Sequence, residues 1–434
     1  MSTGTRQPIR AGRGFLIGLL GLTVVAVPAP VEAGGPGTDI VVTTFDDELN
    51  LDGECSLREA VISANSDAPV DACVAGDGHD VIRLPSGIHQ LSIPGAGEDL
   101  GLTGDLDVTE SLGVSVVGVG AGGWATIDGG GLDRIFDVHP AARLWSFAWL
   151  VLRNGDAGAE AGGAIRVGDG TCDENGFPEN FSSLIPVLVE GNRAARGGGL
   201  DFGSCRLSSI RFASIVDNHA TGEGGAISAR AGTALSVETS TISGNSAGVA
   251  GGGLWVDPDS EPTLGFSAIT LEYATVAENT APEGGGIWSS ASVQVESSIV
   301  AMNEGGNCAG GTSAGGMSDD DTCVGAHVDS AGLLPLTRVG NAVVHPLADD
   351  SPAIELAGGP RASNGWCSSM SSGDQLGTPR PLDGDGDGTA HCDMGAIEHA
   401  AIPLQPANPG PPHPDPTPAL PDTAMHGAAR PSCP

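Results

Sequence analysis

The chain has 434 residues, with 69 glycines, 30 prolines, 40% apolar, 17% charged and 4% aromatic residues. Glycine at this level without a Gly-X-Y period sets aside a collagen-like rod, and the apolar share sets aside disorder throughout. The formal charge is −36 and all 18 basic residues are arginine, so nucleic acid and anionic membranes are repelled, and a polyanionic polymer would need a bridging cation.

Residues 1–33 read as a signal peptide. Arg6, Arg10 and Arg13 precede a short apolar run over residues 15–27, and Val31 and Ala33 stand before a cut at Ala33–Gly34. The run is short for a membrane span. With no adjacent arginine pair and no cysteine at the cut, the expectation is bacterial Sec export to a secreted, extracellular or cell-surface location. No transmembrane segment is expected after cleavage. The cysteines agree with an oxidising compartment. Eight of the nine fall into close sequential pairs, Cys55/Cys73, Cys172/Cys205, Cys308/Cys323 and Cys367/Cys392, which predicts four local disulfides. Cys433 is left over. No C-x-x-C occurs, so zinc is a weak reading.

Residues 34–80 read as an N-terminal cap region with an amphipathic helix over 56–65. Ser56 and Glu59 have capping-box spacing, and Leu57, Ala60, Val61 and Ala64 form an apolar stripe. The expected role is a lid over the open end of the adjoining repeats, stapled by Cys55–Cys73. Arg58 and Glu59 are expected on its polar side or in the cap.

Residues 81–348 repeat. Stretches such as "SIVDNHATGEGGAIS" and "TVAENTAPEGGGIWS" pass from a β-rich run through an asparagine and a polar turn to Gly-Gly and a new apolar run. The asparagines are Asn154, Asn192, Asn218, Asn245 and Asn279, with Asn303 a degenerate sixth; their spacings are 38, 26, 27, 34 and 24. A mid-twenties period without helical patterning predicts an all-β fold, a right-handed parallel β-helix with three short strands per coil. Recurring asparagines at one turn predict a stacked amide ladder. Residues 349–400 read as a C-terminal capping region with an Asp/Gly loop, and 401–434 as a proline-rich disordered tail.

Three motifs carry recognisable residues. "CSLREAVISAN" from Cys55 resembles the signature of CSLREA-domain secreted bacterial proteins. The asparagine-then-"GGAI" repeats resemble those of polymorphic outer membrane proteins. "DQLGTPRPLDGDGDGTAHCDMGAIE", residues 374–398, resembles the choice-of-anchor Q C-terminal region. The resemblance covers most of residues 40–400 and implies a secreted, pectate-lyase-like β-helix with no established reaction. The proline-rich tail departs from the hydrophobic sorting tail that it also implies.

Because β-helices host polysaccharide enzymes as well as scaffolds, function rests on residues. The arginine, Asn-Thr-Asp and Gly-His-Gly motifs of pectin-active enzymes are not seen. Asp46–Asp47 and Asp349–Asp350 lie outside the coils, and His219 reads as a solvated turn residue. No catalytic residue is expected. Asp383, Asp385 and Asp387 in "DGDGDG" match the start of a calcium loop, with Met394 at the twelfth position and Asp393 or Glu398 to complete a site. Calcium is the one candidate cofactor. The expected function is a non-catalytic, adhesin-like scaffold binding extracellular glycans or cell-surface components. The alternative is a polysaccharide-active lyase or hydrolase on a neutral or calcium-bridged polymer. The sparse aromatics leave little for sugar stacking and lean toward the scaffold.

Overall fold

Short β-branched runs separated by glycine turns cannot bury a core one at a time, so they stack. The computed structural model describes residues 37–116, 123–172, 180–257, 269–313, 316–357, 367 and 373–399. The signal segment, Cys433 and the proline-rich tail lie outside the described residues. The described chain is all-β, parallel and solenoid-like, with one α-helix. Within the repeats each strand pairs in parallel with its counterpart one repeat later. Arg206–Arg211 pairs with Ala234–Glu238, Ser214–Val216 with Thr241–Ser243, and Ile227–Ala229 with Leu254–Val256. A sixteen-stranded sheet with two arms joins at the long strand Ile287–Glu296. A ten-stranded sheet runs from Gly87–Gln90 to Ala326–His327. Between them Ile, Leu and Val with Phe136, Phe147 and Phe202 form one continuous core.

The asparagine ladder is present and runs from Asn192 to Asn307. Each side-chain amide donates to the next oxygen, Asn192 to Asn218, Asn245, Asn279, Asn303 and Asn307 in turn, at 2.8–3.0 Å. Asn303, the degenerate member by sequence, is a full rung. Asn154 is not one. It stands one register earlier, with φ +56°, in the row of left-handed residues Gly191, Asp217, Gly244, Glu278 and Met302 that precedes the rungs. Its amide donates to Asp128 instead, and the rung position belongs to Gly155, whose N–H reaches Asn192 Oδ1 at 2.9 Å. At the next corner Gly224 holds φ +69°, where a Cβ would meet Ile227 O at 2.6 Å.

The helix Leu57–Ser66 has its capping box: Ser56 Oγ accepts from Glu59 N at 3.1 Å and Glu59 Oε2 from Ser56 N at 3.0 Å. Its apolar stripe packs against strands His79–Leu84 and Leu106–Val108. Glu59 sits in the cap, one of the two places expected for it, whereas the polar side expected for Arg58 is corrected, because Arg58 is buried. Arg58 pairs with Asp47 at 2.7 Å and donates to the carbonyls of Gly101, Gly104 and Asp105 at 2.8–2.9 Å. Glu59 accepts from Asn50 and Ser56. A charge in an apolar setting persists only when paired and fully hydrogen-bonded, which this arrangement achieves.

The described residues from 337 to 399 fold back across the outer face of the ten-stranded sheet. An antiparallel hairpin, Thr337–Val339 with Ala342–Val344, covers Val151, Leu188 and Val216. Polar groups of the sheet then meet the returning chain: Ser214 with Val343 and Gln375, Thr241 with Gln375, Ser243 with His345, and Thr275 with the Ala396 N–H. All four cysteine pairs are bonded, Cys55–Cys73, Cys172–Cys205, Cys308–Cys323 and Cys367–Cys392.

Candidate functional site

The ten-stranded sheet brings the scarce aromatics together. Its register aligns Ala125 with Leu150, Leu150 with Val187, and Leu188 with Ser214. The residues just ahead of these strands, Trp124, Trp149, Pro186 and Phe212, therefore fall in one row along the corner. Neighbours in such a row are separated by about 4.8 Å, the normal strand spacing. Trp149 and Phe212 take φ +64° and +53°, as the chain bends into the next strand. The two tryptophan rings meet edge to face, 5.9 Å apart at 88°. Further along, the same register places Tyr273, and there the Arg380 guanidinium lies 4.6 Å over its ring. The fold-back covers the row at that end and stands opposite it at the other.

The result is an open groove of about 700 Å³ between the aromatic row and the loops at 339–342 and 373–377. That is within the range of ligand sites, and an apolar lining with a few polar groups is what such sites present. Asn341 supplies an amide; the buried Gln375 amide is spent on the sheet, donating to Ala213 O and Ser214 Oγ and accepting from Thr241. Asp374, the acid of the lining, is buried, which pushes its carboxyl upward. Its oxygens accept from the N–H groups of Leu376, Thr378 and Glu398. It holds the wall and offers no free carboxylate for chemistry. The sequence does contain the signal: "WATID", "WLVLR", "PVLVE" and "FASIV", aligned on their strands, put W, W, P and F in one column. Unequal inserts hide that column until the register is known.

A second polar cluster lies elsewhere, at the start of the solenoid. Asp107, Asp137, Arg166 and Asp201 follow one another in register on one arm of the large sheet. Asp105, Asp133 and Arg134 join them, with Arg134 Nη1 3.1 Å from Asp137 and Arg134 Nε 3.1 Å from Asp105. His139 Nε2 is 2.8 Å from Asp107. Burial, reinforced by Asp133 and Asp107 and opposed by Arg134, pushes the Asp105 carboxyl up to about 8. Oxygens of Asp105, Asp107 and Asp137 come within 4.8 Å of one another. All three residues are buried, Asp105 within the loop that Arg58 grips, and Gly101 N donates to Asp107. The cluster clamps that loop and reaches solvent through the exposed Asp99 and half-buried His139, whose ligand atoms lie within 4.8 Å of one another and of Asp107. In sequence it shows only as acids at alternate strand positions, "DLD" from Asp105 and "DRIFD" from Asp133.

The Asp105 proton has a consequence for stability. In the unfolded chain the carboxyl ionises near 3.9. The folded state binds its proton up to about pH 8. Folding then takes up a proton between these values, so stability falls as pH rises from about 4 to about 8 and levels off above. Glu398, pushed by burial to about 7 against the pull of Arg380, adds to the same slope. Asp105→Asn is expected to flatten the urea midpoint against pH across this window; an unchanged slope would show that Asp105 is ionised in the fold.

The Asp/Gly loop turns mostly on itself. Asp383 accepts from Gly386 and Gly388, Asp385 from Asp387, and Asp387 from Thr389. Asp383 and Asp385 come together with Glu355, their ligand oxygens within 4.8 Å, while Asp387 is not in that group. Asp393 and Glu398 are buried and engaged with the N–H groups of Glu355 and His399 and with Arg380. Glu355 stands 28 residues ahead of Asp383, and nothing local in the sequence marks it.

The remaining candidates have structural partners. His219 Nδ1 meets Ser246 Oγ at 2.8 Å in a small three-stranded sheet. Asp47 holds Arg58 and the N–H groups of Ser92 and Ile93. Asp349 is exposed beside His399.

Among the described residues these features define an all-β, parallel, solenoid-like fold with four disulfides and an aromatic groove. Against protein-family models, curated proteins and solved structures, the chain has no match. Among the described residues no helix is long and apolar enough to cross a membrane.

Proposed function

We propose that this is a secreted or cell-surface scaffold of the CSLREA type, a right-handed parallel β-helix lidded by the helix Leu57–Ser66, which binds glycans without turning them over. The observation that carries the reading is the row Trp124–Trp149–Pro186–Phe212 facing an open groove. Flat apolar side chains in a row suit the apolar faces of successive sugar rings, and the Asn341 amide suits their hydroxyls. The charge of −36 favours an uncharged polymer. The groove holds aromatics without a free carboxylate, and none of the carboxylate cluster lines it, so binding and acid chemistry do not share a site. Four disulfides suit an oxidising, extracytoplasmic setting.

The test is a panel of neutral polysaccharides against the purified protein. Trp149→Ala is expected to weaken binding of the preferred polymer roughly 30-fold, the effect of removing a central aromatic anchor worth ~2 kcal/mol. Its urea midpoint is expected to stay near wild type, because Trp149 is exposed at the corner. Equal binding by the variant would remove the groove from the reading. A second reading, an enzyme on a neutral or calcium-bridged polymer, draws on the protonated Asp105 beside Asp107 and Asp137. Turnover of any polymer, with or without calcium, would favour it.

A further inference from the structure

We propose that the groove also accepts this chain's own proline-rich segment, residues 403–412, as a polyproline II ligand. The inference concerns the groove alone and stands whether or not sugars enter it.

The first observation is where the described chain ends. Gln375, in the groove wall, donates its backbone N–H to Ala396 O at 2.9 Å, and Asp374 accepts from Glu398 N at 3.1 Å. Ala396 and Glu398 thus touch the wall residues Gln375 and Asp374, and the described chain stops one residue on, at His399, whose N–H donates to Asp393. Pro403 is the fourth residue beyond His399, a reach of about 13 Å when extended.

The second observation is the proline spacing beyond His399. Pro403, Pro406, Pro409 and Pro412 recur every third residue. A polyproline II helix has three residues per turn, so these four prolines align on one edge, about 9 Å apart per turn. Pro-rich segments of this kind dock in aromatic-lined slots, because the ring stripe fits between flat side chains and the helix loses little entropy on binding. The edge-to-face pair Trp124/Trp149 makes one such slot, and Phe212 continues the row.

The third observation is charge. The segment "PLQPANPGPP" carries none, in a chain of net charge −36. An uncharged ligand meets no repulsion from the acidic body. A polyproline II helix leaves its carbonyls unpaired, so such a ligand can accept from the Asn341 amide in the groove.

The experiment uses the full-length chain and a synthetic peptide of residues 402–413. A tethered segment has an effective concentration in the millimolar range, so in the wild type it outcompetes the free peptide. The chain with Pro403, Pro406, Pro409 and Pro412 all changed to serine leaves the groove open. The peptide is expected to bind this variant at least about tenfold more tightly than it binds wild type, read by calorimetry. Adding Trp149→Ala, or Phe212→Ala as a second choice, is expected to abolish that gain. Equal binding to wild type and the serine variant, no binding to either, or binding that survives both aromatic changes would overturn the proposal. So would a concentration-dependent dimer of wild type that the serine variant loses, since the segment would then serve a second copy.

Discussion

Arg58→Met is expected to destabilise the folded chain by about 3–5 kcal/mol, the cost of removing one partner from a buried ion pair. The guanidinium is buried and uses all three nitrogens. Nε and Nη2 hold Asp47, Nη1 holds the carbonyls of Gly101 and Asp105, and Nη2 also holds Gly104. Methionine fills the volume and supplies none of these donors. Asp47 keeps the N–H groups of Ser92 and Ile93 but faces an apolar thioether, and three carbonyls lose their partner. Arg58→Lys is expected to recover only part of the loss, because one ammonium cannot span a carboxylate and three carbonyls. The control is Arg83→Met, whose pair with Asp39 is exposed on both sides; its expected cost is below about 1 kcal/mol. Asp47→Asn combined with Arg58→Met should cost less than the sum of the two single changes, since each removes the other's orphan. Urea midpoints of the five variants, the single Asp47→Asn included, decide this. A loss below about 1 kcal/mol for Arg58→Met would mean that the loop over residues 101–105 relaxes to water without consequence.

The same arginine shows what sequence conveys and what it conceals. Its helix was legible, because capping spacing and an apolar stripe are local patterns. The repeat, its period and the asparagine ladder were legible for the same reason, as was the pairing of close cysteines. The fate of Arg58 was not, since its partners lie 11 and 43–47 residues away in segments without pattern of their own. Asn154 misled for a subtler reason. It has the same neighbours as a rung asparagine but is displaced by one residue, and on a parallel sheet one residue changes the direction in which a side chain points. The aromatic groove was hidden by unequal inserts, which disperse one spatial row over 89 residues of sequence from Trp124 to Phe212. Composition alone argued against stacking platforms, yet three of the fifteen tryptophans and phenylalanines suffice when the register gathers them at one corner. The fold is thus readable from repetition, whereas the groove needs the register that repetition sets.

Asn245 is the rung where the ladder is expected to be most vulnerable. Its Nδ2 donates to Ile215 O, Ser243 O and Asn279 Oδ1 at 2.8–3.0 Å, and its Oδ1 accepts both the backbone N–H and the amide of Asn218. Asn245→Ala removes all five contacts within a buried stack. Asn218 N–H then has no acceptor, and two carbonyls lose a donor, each such loss costing about 1–3 kcal/mol before relaxation. Partial relaxation and entry of water set the expected total at about 3–4 kcal/mol. Asn245→Asp is the sharper test. It keeps the acceptor and the shape but loses every donor and points a carboxylate at two carbonyl oxygens and the Asn279 amide oxygen. It is therefore expected to cost more than alanine at pH 7, and the gap should close as the pH falls and the carboxyl protonates, because the acid form regains one donor. Asn154→Ala supplies the contrast. That residue stands outside the ladder and bonds only Asp128 among the side chains, so its expected cost is about 1 kcal/mol. If Asn154→Ala and Asn245→Ala prove equally costly in urea denaturation, the stacked amides contribute no more than a surface turn. If aspartate at 245 is as mild as alanine at neutral pH, water already reaches that rung.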